Sequence, residues 1–203
     1  METQNNIFLD LNSSKTVDDI KKLFLKYDIK RIDRIKYPYL EFSITSEEIN
    51  ELKKIGIITK ENQFSQDLSK NIDLTPLEKI LYSIIWKQGD LKKEKHIISG
   101  ILGIDTERMV FNQFGKHLRD KYEPIIDQNV IRSYIYFTTG KIINDINEKH
   151  FKLYSNNYID WIKKNDLFNS NQLIIDELLF SYGKKIKPKK KAQKKRYNRI
   201  THD

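Results

Sequence analysis

Eight lysines and two arginines fall within residues 184–203 against one aspartate, and together they account for the whole net charge of +9. Lys184, Lys185, Lys187, Lys189, Lys190, Lys191, Lys194, Lys195, Arg196 and Arg199 form one cationic run, with Tyr197 inside it. A run of this density neutralises a polyanion by releasing its condensed counterions. Arginine adds two-pronged contacts to phosphate, and tyrosine adds a face on which a base stacks. These residues are therefore candidates for nucleic-acid contact. The preceding 183 residues carry equal numbers of basic and acidic groups. The excess belongs to the terminus, so a basic overall composition alone does not explain it. The same run also suits a solvated, solubilising segment or a nuclear-import signal. No amphipathic anchor lies beside it, which argues against a membrane surface as the target.

Within the body, Lys116, His117 and Arg119 end one helical segment, and Arg132 lies further on. Lys116, His117 and Arg132 are further candidates for phosphate contact. Each also has a purely structural reading. Cations at a helix C-terminus are favoured by the helix dipole without any ligand, and Arg132, five residues after Asp127, suits a solvated or structural ion pair. Trp86 and Trp161 suit core anchors or stacking platforms. The four histidines (His96, His117, His150 and His202) are too widely spread for a metal-ligand spacing, and cysteine is absent. No metal, disulfide or cofactor is expected.

The elements that must position these groups read mostly as helices. Val17, Ile20, Leu23, Phe24 and Tyr27 share one helical face, with Asp18 and Asp19 in the first turn. Residues 37–44 favour a strand, which Pro38 confines to an edge. Thr45-Ser46-Glu47-Glu48 opens a short helix. These three elements predict a small N-terminal α/β unit over 1–59, followed by a polar linker over 60–74. Thr75-Pro76-Leu77-Glu78 is a capping box with proline at the first helical position. The helix it opens carries Leu77, Ile80, Leu81 and Ile84 on one side. Further helices are predicted over 91–102, 105–118, after Pro124, over 142–164, and over 171–182, the last ending at Gly183. A helical domain thus spans 75–183, and the basic tail spans 184–203.

Leu102-Gly103-Ile104-Asp105, followed by a helix, a loop and Ile125-Ile126-Asp127-Gln128-Asn129-Val130, resembles the centre of the helix-hairpin-helix DNA glycosylase superfamily over residues 75–184. The resemblance implies a mainly α glycosylase-like domain that engages DNA. It makes Asp127 the candidate catalytic carboxylate, orienting water or stabilising an oxocarbenium-like transition state. Asp105 replaces the second glycine of the family's hairpin and sets a negative charge toward the phosphate. Thr106-Glu107-Arg108 holds no lysine where bifunctional members have their nucleophile, so a Schiff-base lyase is not expected. Asp127 is also well placed to cap the helix that follows it. The reading that results is a nucleic-acid-binding protein, with DNA favoured over RNA. The alternatives are a monofunctional base-excision enzyme and an RNA- or ribosome-associated protein.

With 38% hydrophobic residues and 11% aromatics, the chain can bury a core. Seven glycines and four prolines are too few for an all-β sandwich or barrel. The N-terminus lacks a basic stretch followed by an apolar one, so no secretory signal is read there, and no apolar run is long enough to span a membrane. A cytoplasmic or nucleoid-associated protein is expected, or a nuclear one if the source is eukaryotic.

Overall fold

The chain is mainly α. The computed structural model describes residues 6–36, 38–65, 74–88, 93–164 and 166–188, the side chains of 83, 85–88 and 166–172 excepted. Among these residues the helices run α1 (Asn6–Ser13), α2 (Val17–Lys26), α3 (Ser46–Lys54), α4 (Pro76–Gln88), α5 (Glu94–Ile101), α6 (Met109–Arg119), α7 (Gln128–Thr139), α8 (Glu148–Lys163) and α9 (Asp166–Ile186). No strand accompanies them, only an isolated antiparallel bridge between Ile58 and Phe64.

Local signals set the helix starts. Glu78 N donates to Thr75 Oγ1 at 3.3 Å and Thr75 N donates to Glu78 Oε2 at 2.7 Å, the reciprocal box that the sequence predicts. Thr45 and Glu48 form a second box, and Thr16 and Asp19 a third. Gly140, at φ 69°, ends α7 in the left-handed region where a side chain would be strained.

Helix α7 is the centre of the larger core. Its residues 130–137 are all buried, as a helix with apolar groups on every side must be. Helices α9, α8, α1 and α2 join it in one core, in which Ile7, Leu11, Ile20, Tyr158, Ile175 and Leu178 share a cluster with Ile131 and Ile135. Ser133, a polar residue in this run, donates its hydroxyl to Leu179 O at 2.6 Å. A smaller core joins Ile49 of α3, Ile58, Ile98 and Ile101 of α5, and Leu118 of α6. Helices α5 and α6 touch backbone to backbone: a Cβ on Gly100 would lie 2.0 Å from Asn112 O, and one on Gly115 would lie 2.1 Å from Ile97 O.

Several elements differ from the sequence reading. Residues 38–45 form an irregular strap instead of a strand. No partner strand lies beside it. Ile44 N donates instead to Leu118 O at 3.0 Å, and Tyr39 stacks under the Arg34 guanidinium; Tyr37 lies outside the described residues. Helices α1 and α2 do not form a separate unit, because their apolar faces belong to the core around α7. Residues 60–65, at the start of the predicted linker, pack on α5: Asn62 Nδ2 donates to Ser99 Oγ and Phe64 N to Glu94 Oε1. The helix predicted from 142 starts at Glu148, because Asn147 caps it. Helix α9 runs on through Gly183 to Ile186. That glycine serves a close helix crossing: a Cβ there would meet Asn129 O at 2.0 Å. Leu77, Ile80, Leu81 and Ile84 of α4 are exposed, not buried.

Candidate functional site

Asp127 stands at the N-cap of α7, with extended backbone at φ −140°. Its Oδ1 accepts from Asn129 N and Val130 N, each at 2.7 Å. The capping role read from the sequence is therefore real, and it engages one of the two carboxylate oxygens. Burial raises the Asp127 pKa above the ordinary aspartate value, although the two amides and the nearby Arg132 work in the other direction. The carboxylate lines a groove of about 860 Å³ between residues 32–41, α6, the 121–127 loop and α9. It also lines a second cavity of about 540 Å³ with Glu107, Arg108, Asn147 and Phe151. Capping and pocket lining thus coincide in one residue.

The walls of the large groove are mostly apolar, with Tyr39, Leu40, Phe114 and Phe180 among them. Charged or titratable groups join Asp127 there, among them His117, Lys121, Asp176 and Glu177. His117 is buried, with Nδ1 2.7 Å from Glu123 O. A carbonyl only accepts, so Nδ1 carries the hydrogen and Nε2 of the neutral ring keeps its lone pair. Burial lowers the His117 pKa and holds the ring neutral. Lys121 Nζ is buried without a hydrogen-bond partner and lies 5.7 Å from the centre of the Phe42 ring. Asp176 Oδ1 accepts from Tyr158 Oη at 2.9 Å. Glu177, almost fully buried, accepts from Arg31 Nε at 2.6 Å, Arg31 Nη2 at 2.9 Å, Ile32 N at 2.9 Å and Arg34 Nη2 at 2.9 Å. This one carboxylate fastens residues 31–34 to α9. The bonds from Arg31, Ile32 and Arg34 hold its pKa below the ordinary range against the opposing effect of burial.

The glycine turn between α5 and α6 is closed on itself. Gly103, at φ 77°, donates to Gly100 O at 3.0 Å, and Ile104 N donates to Ser99 O at 2.8 Å. These two bonds complete the C-terminal cap of α5. His96 Nδ1 lies 3.0 Å from Thr106 Oγ1, and Asn112 Nδ2 donates to Ile104 O at 2.8 Å, so the turn is pinned from both helices.

The remaining candidates are scattered. Lys116 pairs with Asp105 at 2.7 Å, so each cancels the other's charge at the turn. Arg132 is not placed for phosphate contact. It is 1% exposed, and its guanidinium donates to Ile143 O, Asn144 O, Gly183 O and Asn129 Oδ1. It ties the start of α7 to α9 and to the loop before α8. Trp161 packs at the core beside Phe8 and Tyr134. At the end of α9, Lys184 is exposed 5.5 Å from the Phe180 ring centre. Lys185 Nζ donates to Tyr27 O at 2.7 Å and Asp28 O at 2.8 Å and pairs with Asp28 at 3.3 Å. Lys187 is exposed. Lys189, Lys190, Lys191, Lys194, Lys195, Arg196, Tyr197 and Arg199 lie outside the described residues, as does His202.

Sequence reading missed Arg31, Arg34, Lys121 and Glu177. Arg31 and Glu177 are 146 residues apart, so no local spacing joins them. Among the described residues no group of three or more His, Asp or Glu side chains could hold a metal ion, and no helix is long and apolar enough to cross a membrane. Comparison with models of known families, with curated proteins and with solved structures returns no match.

Proposed function

We propose that this chain is a nucleic-acid-binding protein, with DNA as the favoured ligand and a glycosylase-like helical body carrying a polybasic tail. The observation that supports this is how α9 ends. Its last turn presents Lys184 on the surface, and Lys185 fastens that turn to the backbone of residues 27–28. The cationic run of residues 187–199 therefore departs from a fixed point on a body whose own charges balance. The turn at Gly103 and the carboxylate of Asp127 at a helix start are in keeping with the helix-hairpin-helix resemblance. The test is truncation at two points. A chain ending at residue 188 keeps its melting temperature and loses affinity for a DNA duplex. Its salt dependence is shallower by about 0.9 for each phosphate contact removed. A chain ending at residue 183 also loses stability, because the Lys185 anchor and the packing of Ile186 go with it. Unchanged affinity and slope on removal of residues 189–203 would reduce the tail to a solubilising segment.

A second reading, a monofunctional base-excision enzyme, is favoured by one observation: the half-buried carboxylate of Asp127 lines a groove of about 860 Å³. On this reading Asp127 orients a water at an extruded nucleotide. Base release from damaged duplexes that disappears in Asp127→Asn, with binding retained, supports it. Wild-type protein that releases nothing from a panel of such duplexes removes it.

A further inference from the structure

We infer that the cleft between residues 28–36 and the end of α9 is the body's own binding site for the phosphodiester backbone, in place of the glycine turn. The inference rests on the nucleic-acid-binding reading above and names where on the body that binding occurs.

The cleft measures about 540 Å³ and is lined by five cations, Lys30, Arg31, Lys36, Lys184 and Lys185, against two aspartates, Asp28 and Asp33. Their partners decide which charges remain. Arg31 is held in a two-pronged pair with Glu177, so its charge is compensated. Lys185 pairs with Asp28 and holds the cleft floor to the end of α2. Asp33 Oδ1 accepts from Ile35 N at 3.0 Å, which turns that carboxylate toward its own loop. Lys30 and Lys36 are exposed, and no ion pair among the described residues engages either of them. Lys184 is exposed, lines the same cleft and lies beside the Phe180 ring. Three ammonium groups against the one remaining carboxylate, Asp33, therefore leave the concave site short of negative charge. A phosphate supplies that charge, and low-dielectric walls of Ile32 and Phe180 strengthen the attraction.

The glycine turn offers the opposite arrangement. Its Gly103 and Ile104 amides are bonded to α5, and Lys116 is neutralised by Asp105. A backbone phosphate placed there meets the exposed Asp105 carboxylate and finds neither of these amides available. The cleft has two further advantages. It lies at the last turn of α9, beside the point from which the cationic run departs. It also shares Ile32, Lys36 and Phe180 with the large groove that Asp127 lines. A strand held in the cleft is thus led toward that groove.

The test uses the full chain and fluorescence anisotropy with a short labelled DNA duplex. Lys30→Gln, Lys36→Gln and Lys184→Gln are combined in one variant and compared with Lys116→Gln. The triple variant is expected to bind at least about tenfold more weakly near 0.1 M salt, with a salt slope shallower by about 2 to 3. Lys116→Gln is expected to match wild type. All three cleft lysines are exposed, so unchanged circular dichroism and melting temperature are expected to accompany the loss. Single-stranded RNA in a second arm distinguishes the two sources of this backbone: the same dependence on the cleft lysines with tighter RNA binding keeps the site and reassigns the ligand. A triple variant that binds as wild type, or a Lys116→Gln loss of equal size, overturns the inference and leaves the tail as the binding element. A wild-type chain that binds no nucleic acid overturns the underlying reading itself.

Discussion

A methyl group on Gly183 would lie 2.0 Å from the carbonyl oxygen of Asn129, so the first turn of α7 rests directly on the backbone of α9. The same turn holds the Asp127 cap and receives the Arg132 guanidinium, which also reaches Gly183 O. Gly183→Ala must therefore push α7 and α9 apart where two backbones meet and nothing flexible can yield. The expected loss is about 2 kcal/mol, in the range of overpacking into a filled interior. Chemical denaturation measures it. Faster hydrogen exchange at the Asn129 and Val130 amides should accompany it, since the cap moves with the turn. An unchanged midpoint would show that the crossing is looser than this contact implies.

Arg132→Met tests whether that residue serves the fold or a ligand. The substitution keeps the bulk and removes the donors to Ile143 O, Asn144 O and Gly183 O. Orphaned buried carbonyls cost on the order of 1 to 3 kcal/mol each when no water replaces the donor. A loss of at least about 3 kcal/mol is expected. The salt dependence of DNA binding, measured at a temperature where the variant stays folded, is expected to equal wild type. A shallower slope with full stability would return Arg132 to the phosphate-contacting set.

Much of the local structure was legible in the sequence, because caps and turns depend on a few adjacent residues. Thr75 with Glu78, Thr45 with Glu48 and the cap at Asp127 all stand where their types and spacing place them. What the sequence concealed depends on distant partners. Gly183 reads as a helix stop until α7 is seen lying against it. Tyr39 and Phe42 read as strand formers until Arg34 and Lys121 take their faces. Arg132 and His117 read as candidates for phosphate contact or as structural cations, and burial makes one a clamp between helices and the other a neutral ring. The cleft cations Lys30 and Lys36 meet Lys184 only through the tertiary fold.

The two buried histidines set a pH dependence of stability. Burial lowers the pKa of both His96 and His117 below the ordinary value of 6.5. Between that value and the lower folded pKa, the unfolded chain takes up protons that the folded chain refuses. Stability is therefore full above about pH 6.5 and falls as the pH drops below it. Glu177, whose folded pKa is lowered, loses its contribution only further down, as the pH falls below the ordinary 4.5. Unfolding midpoints measured from pH 7.5 to 5 should thus decline before the carboxylates titrate, by roughly 1.4 kcal/mol per unit of pH for each histidine in its window. His117→Gln should flatten that decline. A flat profile down to pH 5 would mean that neither imidazole is shielded from protonation in the fold.

Asp127 separates its two roles by a comparison of three side chains. Asparagine keeps an oxygen that can accept from Asn129 N and Val130 N, whereas alanine keeps none. Losing a cap costs about 0.5 to 2 kcal/mol, so Asp127→Ala should be less stable than Asp127→Asn by about 1 kcal/mol. The charge works in the other direction. Burial raises the Asp127 pKa, so the folded state holds the carboxylate's proton to a higher pH than the unfolded state does. Between pH 3.8 and the raised value, wild type therefore gains stability as the pH falls, and above that window the half-buried charge opposes folding. Asparagine removes that opposition and is expected to be at least as stable as wild type at pH 7. Thermal melts of the three proteins at pH 7 decide the matter. The order asparagine, aspartate, alanine, from most to least stable, would mean that the charge is retained at a cost to the fold, which a cap alone does not require. An aspartate that is the most stable of the three would mean that the carboxylate is simply the better cap, and the excision reading would lose the one physical reason for an ionisable group at this position.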